Sequence, residues 1–178
     1  MAPQLSVWAI VGDSNSGKST MIGQLTGQFG PKKNGLSGGR SDGFFSILLR
    51  SNAYMSIWTR RMALQEAGLS PEKAFAEISK KFANPKRPSN CTSILIALRD
   101  QQHSGLADGD QYLKYFSNQG WNIHSVVIMH SVENAGRYVS LGVPSYTFAS
   151  TDDAPDVELS SRPILHRVGQ IRNHFAWA

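Results

Sequence analysis

Residues 5–20 read LSVWAIVGDSNSGKST, and the reading of this stretch decides the fold. Leu5 to Val11 is a short apolar run rich in β-formers, and Gly12 ends it. A run without polar alternation suits a strand buried on both faces of a parallel sheet. Past the glycine turn, Ser19 to Phe29 carries Met21, Ile22, Leu25 and Phe29 at helical spacing, and Gly30 and Pro31 stop the helix. The order is strand, glycine-rich turn, helix.

The turn, Gly12-Asp13-Ser14-Asn15-Ser16-Gly17-Lys18-Ser19, satisfies G-x-x-x-x-G-K-[ST] at every fixed position. Glycine at 12 and 17 lets the backbone curl so that successive N–H groups point inward. Those donors and the positive end of the following helix make an anion site that extends to Thr20. Lys18 places a point charge on the β- and γ-phosphates, and the Ser19 hydroxyl suits Mg²⁺, which prefers oxygen ligands and keeps several waters. With a buried strand leading in and a helix leading out, the context agrees with the motif.

On Val7 to Thr20 and the general α/β order, the chain resembles the P-loop NTPase superfamily. The resemblance implies a bound nucleoside triphosphate, with ATP and Mg²⁺ as cofactors. It says little about what the nucleotide drives, and no particular family is identified.

Outward from this stretch the pattern stays α/β. Phe44 to Arg50 and Tyr54 to Arg60 read as a hairpin around Ser51, Asn52 and Ala53, with the alternative of a helix starting near Ala53, because MALQEA (62–67) has good helix formers. Ser70 and Pro71 start a helix with Phe75, Ile78 and Phe82 on one face. Thr92 to Leu98 is another buried-strand run. Tyr112 to Phe116 mark a helix ending at Gly120, Ile123 to Met129 a strand, and Ser145 to Ala149 one more. A last helix carries Ile164, Val168, Ile171 and Phe175 as an apolar stripe. The expectation is one domain over residues 1–178: an α/β P-loop NTPase fold, its sheet mostly parallel with helices on both faces and an antiparallel edge hairpin. Gly30 to Gly43 reads as a long loop, with five glycines, two lysines and an arginine. Trp8, Trp58 and Trp121 lie in or beside apolar runs and are expected in the core.

Several function classes drop out. Cys91 is the only cysteine, so neither an internal disulfide nor a two-cysteine metal site forms, and the five histidines lack metal spacing. No stretch approaches the ~20 apolar residues of a membrane span. The start of the chain lacks the basic region of a signal peptide, and a cytoplasmic location is expected. The formal net charge is +5, and residues 30–100 hold 12 Lys or Arg against 5 Asp or Glu. That excess suits nucleic acid or another polyanion as partner, and equally suits a solvated basic surface.

What is missing narrows the reading further. P-loop enzymes usually carry an Asp or Glu at the end of an apolar strand to position Mg²⁺ or water. The nearest here is Asp100, which follows Arg99 after Thr92 to Leu98; Asp42 and Glu66 are weaker alternatives. No [NT]-K-x-D guanine signature is present, which favours ATP over GTP. Arg40 and Arg99 are candidates to neutralise charge on the γ-phosphate, within one chain or across a boundary in a homo-oligomer, against the alternative that each is a surface arginine. The catalytic candidates are therefore Lys18, Asp100, Arg99 and Arg40. The leading expectation is a Mg²⁺-dependent ATPase. A kinase acting on a small acceptor and a nucleotide-dependent interaction module with little turnover are the alternatives.

Overall fold

Ser6–Gly12 form β1, and every residue of it but Ser6 is buried, as a strand covered on both faces requires. The computed structural model describes residues 4–27, 42–85, 88, 90–129, 135–148 and 162–178, without the side chains of 135, 148 and 162–166. Most of the glycine-rich loop predicted over Gly30 to Gly43, Arg40 included, lies outside the described residues, as does Phe29.

The remaining elements follow in an alternating order. They are α1 (Lys18–Leu25), β2 (Gly43–Leu48), β3 (Tyr54–Arg60), α2 (Pro71–Ala83), β4 (Ser93–Leu98), α3 (Gly109–Asn118), β5 (Asn122–Met129), α4 (Ala135–Val139), β6 (Ser145–Phe148) and α5 (Arg162–His174). The six strands form one mixed sheet in the order β2-β3-β4-β1-β5-β6. Only β2 runs antiparallel, paired with β3 as the predicted edge hairpin. The helical alternative from near Ala53 is not adopted: Tyr54–Arg60 is β3, and residues 64–68 form turns after it, with Leu64 N–H donating to Ala97 O (3.2 Å) at the end of β4.

Helices cover both faces. Val7, Ala9 and Val11 of β1 point into the core shared with α2, α3 and Tyr138 of α4. Trp8 and Ile10 point the other way, into the core shared with α1 and α5. This alternation is the period-two geometry of a strand. Local signals set the helix starts. Ser70 accepts from Lys73 N–H with Pro71 in the first turn, and Asp108 accepts from Gln111 N–H at the head of α3. Val168 and Ile171 of α5 are buried as its apolar stripe requires, with Phe175 just past its end, and so are Trp8, Trp58 and Trp121.

The end of the chain is also tied in. Trp177 bridges Leu49, and Ala178 N–H donates to Leu48 O at 2.9 Å. No helix among the described residues is long and apolar enough to cross a membrane.

Candidate functional site

Connections out of β1 and out of its neighbour β4 leave in opposite directions. From β1 the chain crosses through α1 toward the β2–β3 edge; from β4 it crosses through α3, on the other face, to β5. A sheet built this way opens a crevice at the carboxyl ends of the two strands, where α/β proteins hold their ligands. The loop Gly12 to Ser19 and the pair Arg99–Asp100 lie at these two ends.

The loop is shaped by its glycines. A Cβ on Gly12 would stand 2.7 Å from both Met129 O and Ser16 Oγ, so nothing larger fits without displacement. Gly17 has φ +85° and Asn15 has φ 61°, the left-handed region that glycine enters freely and asparagine better than most. Gly17 is the N-cap of α1 and no side chain caps that helix. The leading N–H groups of α1 therefore lack intrahelical partners and form the positive end of its dipole.

Asn15, Ser16, Gly17, Lys18, Ser19 and Thr20 line a hollow of about 300 Å³ together with Glu66. Lys18 is buried, and its Nζ donates to Gly12 O (2.9 Å) and Asp13 O (2.5 Å), with Ser16 Oγ at 3.4 Å. Desolvation pushes its pKa below the usual lysine value; Glu66 and Asp13 oppose the shift and Arg99 adds to it. Lys18 is thus a cation held among loop carbonyls without a close anionic partner in the loop. Ser19 Oγ donates to Arg61 O (2.8 Å), and Arg61 Nε donates back to Ser19 O (3.1 Å). The Ser19 oxygen keeps lone pairs for a hard cation.

Of the predicted catalytic residues, the structure brings Lys18 and Arg99 near Glu66: Arg99 Nη1 is 3.9 Å from Glu66 Oε1. Asp100 sits behind the loop. It is fully buried, accepts from Tyr138 Oη (2.8 Å), and its N–H donates to Gly12 O (3.3 Å). It braces the back of the loop and does not line the hollow. The phenol in turn is pushed far above its ordinary pKa by burial and by the neighbouring carboxylates of Asp100, Asp110 and Asp108. Asp42 pairs with Arg60, at 3.8 Å, and not with the loop. Arg40 lies outside the described residues.

Three contributors carried no local sequence signal: Arg61, Tyr138 and Gln65. Gln65 is 1% exposed and clamps the end of β4 through its side-chain amide. Its Oε1 accepts from Arg99 N–H (3.0 Å), and its Nε2 donates to Arg99 O (3.1 Å) and Ala107 O (3.3 Å). Gly109 seals the same corner, since a Cβ there would stand 2.8 Å from Arg99 O and Tyr138 Oη. A second hollow, about 690 Å³ beside α2, is lined by Glu77, Lys80, Lys81, Ala83 and Asn84 and shares no residue with the loop.

The arrangement offers backbone N–H groups at a helix head, one buried ammonium, the hydroxyls of Ser16, Ser19 and Thr20, and one carboxylate. No family model matches the chain, and neither a curated protein nor a solved structure matches it.

Proposed function

We propose that this chain is a P-loop nucleoside-triphosphate-binding protein that acts as a Mg²⁺-dependent ATPase. The observation that carries the reading is Lys18. A buried ammonium, desolvated and satisfied only by loop oxygens, gains most from an anion delivered into the hollow at the uncapped head of α1. The donor set also suits a small hard cation: Ser19 Oγ and the Glu66 carboxylate are oxygen ligands facing one hollow.

Each residue then has a task. The loop amides and Lys18 orient the β- and γ-phosphates, the ammonium turning from Gly12 O and Asp13 O toward phosphate oxygen. Lys18 also favours the charge that builds up as water attacks the γ-phosphate in line. Arg99, beside Lys18 and Glu66, adds a second positive group at the same edge. Mg²⁺, when bound, supplies charge neutralisation across the phosphate oxygens. ATP is proposed over GTP because the sequence lacks the guanine signature, and nucleic acid or another polyanion remains the proposed partner of the basic region 30–100.

A second reading, an interaction module with slow turnover, is favoured by the burial of Asp100 under Tyr138, which takes the strand-end acid away from the hollow. Titration calorimetry with a nucleotide panel, paired with steady-state phosphate release, tests both. Micromolar ATP binding with turnover is expected from the first, and equally tight binding without turnover from the second. Unchanged affinity in Lys18→Ala would overturn both.

A further inference from the structure

We propose that Glu66, not Asp100, is the carboxylate that holds the divalent cation beside Ser19; the inference rests on the nucleotide reading above. Three observations meet here. Glu66 is the one carboxylate lining the hollow among the described residues, and Ser19 lines the same hollow. Asp100 is fully buried and engaged by Tyr138 Oη at 2.8 Å. The turn that presents Glu66 is fixed from both sides.

That fixation is specific. Gln65, immediately before Glu66, makes its three hydrogen bonds to Arg99 and Ala107. Leu64 N–H donates to Ala97 O at 3.2 Å, Leu69 N–H closes back on Leu64 O at 3.1 Å, and Gly68 takes φ +71°. The backbone on either side of Glu66 is therefore held to the end of β4, while its carboxylate stays accessible at the rim.

Charge explains why a carboxylate belongs in that place. A triphosphate carries several negative charges, and an acid facing it costs binding energy by like-charge repulsion. Arg99 at 3.9 Å and Lys18 offset part of that repulsion. A divalent cation held by Glu66 and Ser19 would turn the remainder into attraction, since Mg²⁺ commonly takes only one or two protein oxygens. Ser19 Oγ and Glu66 supply that number. Gln65 acts through Glu66 as a positioning residue.

The test compares ATP affinity in excess Mg²⁺ with affinity in excess chelator, by calorimetry, for wild type, Glu66→Gln, Glu66→Asp, Asp100→Asn and Lys18→Ala. Glu66 is partly exposed, so Glu66→Gln is expected to fold, and a thermal melt checks this. In wild type Mg²⁺ is expected to tighten binding. Glu66→Gln should remove about tenfold or more of that tightening, as loss of a metal-orienting carboxylate does. In chelator the same variant should bind as well as wild type or better. Glu66→Asp should keep part of the Mg²⁺ effect. If Glu66→Gln strengthens binding equally with and without Mg²⁺, Glu66 merely repels the nucleotide and the proposal fails. It fails equally if Asp100→Asn removes the Mg²⁺ effect while Glu66→Gln retains it. Binding indifferent to Lys18→Ala would bring down the nucleotide reading itself, an outcome distinct from a Lys18-dependent affinity whose Mg²⁺ effect ignores Glu66.

Discussion

Two turns meet at the hollow, the loop after β1 and the turn after β3, and they are built by different means. The first holds its shape through backbone conformation: Gly12 allows close approach to Met129 O, and Asn15 and Gly17 take positive φ. The second holds its shape through one side chain, the amide of Gln65, spread across Arg99 and Ala107. A turn made of backbone needs small residues in fixed places and tolerates little else. A turn made by a clamp needs one long polar side chain and a partner strand far away in the chain.

The comparison can be broken at several points, the largest effect coming from the ammonium in the first turn. Lys18→Ala should lower ATP affinity about a hundredfold, ~3 kcal/mol, measured by calorimetry. Gly12→Ala, whose Cβ meets Met129 O at 2.7 Å, should destabilise the fold by about 2–3 kcal/mol in denaturant melts and weaken ATP binding with it. A wild-type melt from this variant would mean that backbone approach does not shape the first turn.

Gln65→Ala probes the second turn. It leaves Arg99 N–H, Arg99 O and Ala107 O without this partner, at a cost of about 2 kcal/mol in the same melts. Its Mg²⁺-dependent tightening should fall toward that of Glu66→Gln, while metal-free ATP affinity holds. Equal loss in both conditions would show that the two turns are one unit. Tyr138→Phe removes the donor to buried Asp100 and should cost about 1.5 kcal/mol while leaving the Mg²⁺ effect in place.

The smallest effect is a pH dependence away from both turns. His174 packs against Ser125 Oγ at 2.6 Å, and desolvation holds its pKa below the usual imidazole value. The unfolded chain then binds the proton more readily than the folded one, so stability is full above about pH 6.5 and declines as pH falls toward the lower folded value. His174→Gln should flatten that slope in melts between these limits. His124 shares the direction, through burial, so a small residual slope is expected.

The same contrast explains what could be read from the amino-acid order. β1, the glycine loop and the start of α1 are local: burial on two faces, positive φ and helix polarity each leave a mark within a few residues. The hairpin, the β4 run and the apolar stripe of α5 were legible for the same reason. Asp100 is the nearest strand-end candidate in the sequence, but its side chain turns toward Tyr138, a residue of α4 with no recognisable motif around it. MALQEA resembled helix because Leu64, Gln65 and Glu66 are helix formers by intrinsic preference. Contacts to Ala97, Arg99 and Ala107 override that preference, and nothing near residue 65 announces them.

The sheet order has a consequence for how the site comes into being. β1 precedes the other described strands in the chain, yet its two neighbours are β4, beginning at Ser93, and β5, beginning at Asn122. On a ribosome the anion cradle must wait, unpaired on both sides, until the chain through Met129 has emerged, because Gly12 itself packs on Met129. Pairings this distant in sequence slow folding and prolong exposure of apolar strands. Nascent chains cut before β5 should therefore engage chaperones, and nucleotide should protect only those that extend beyond it.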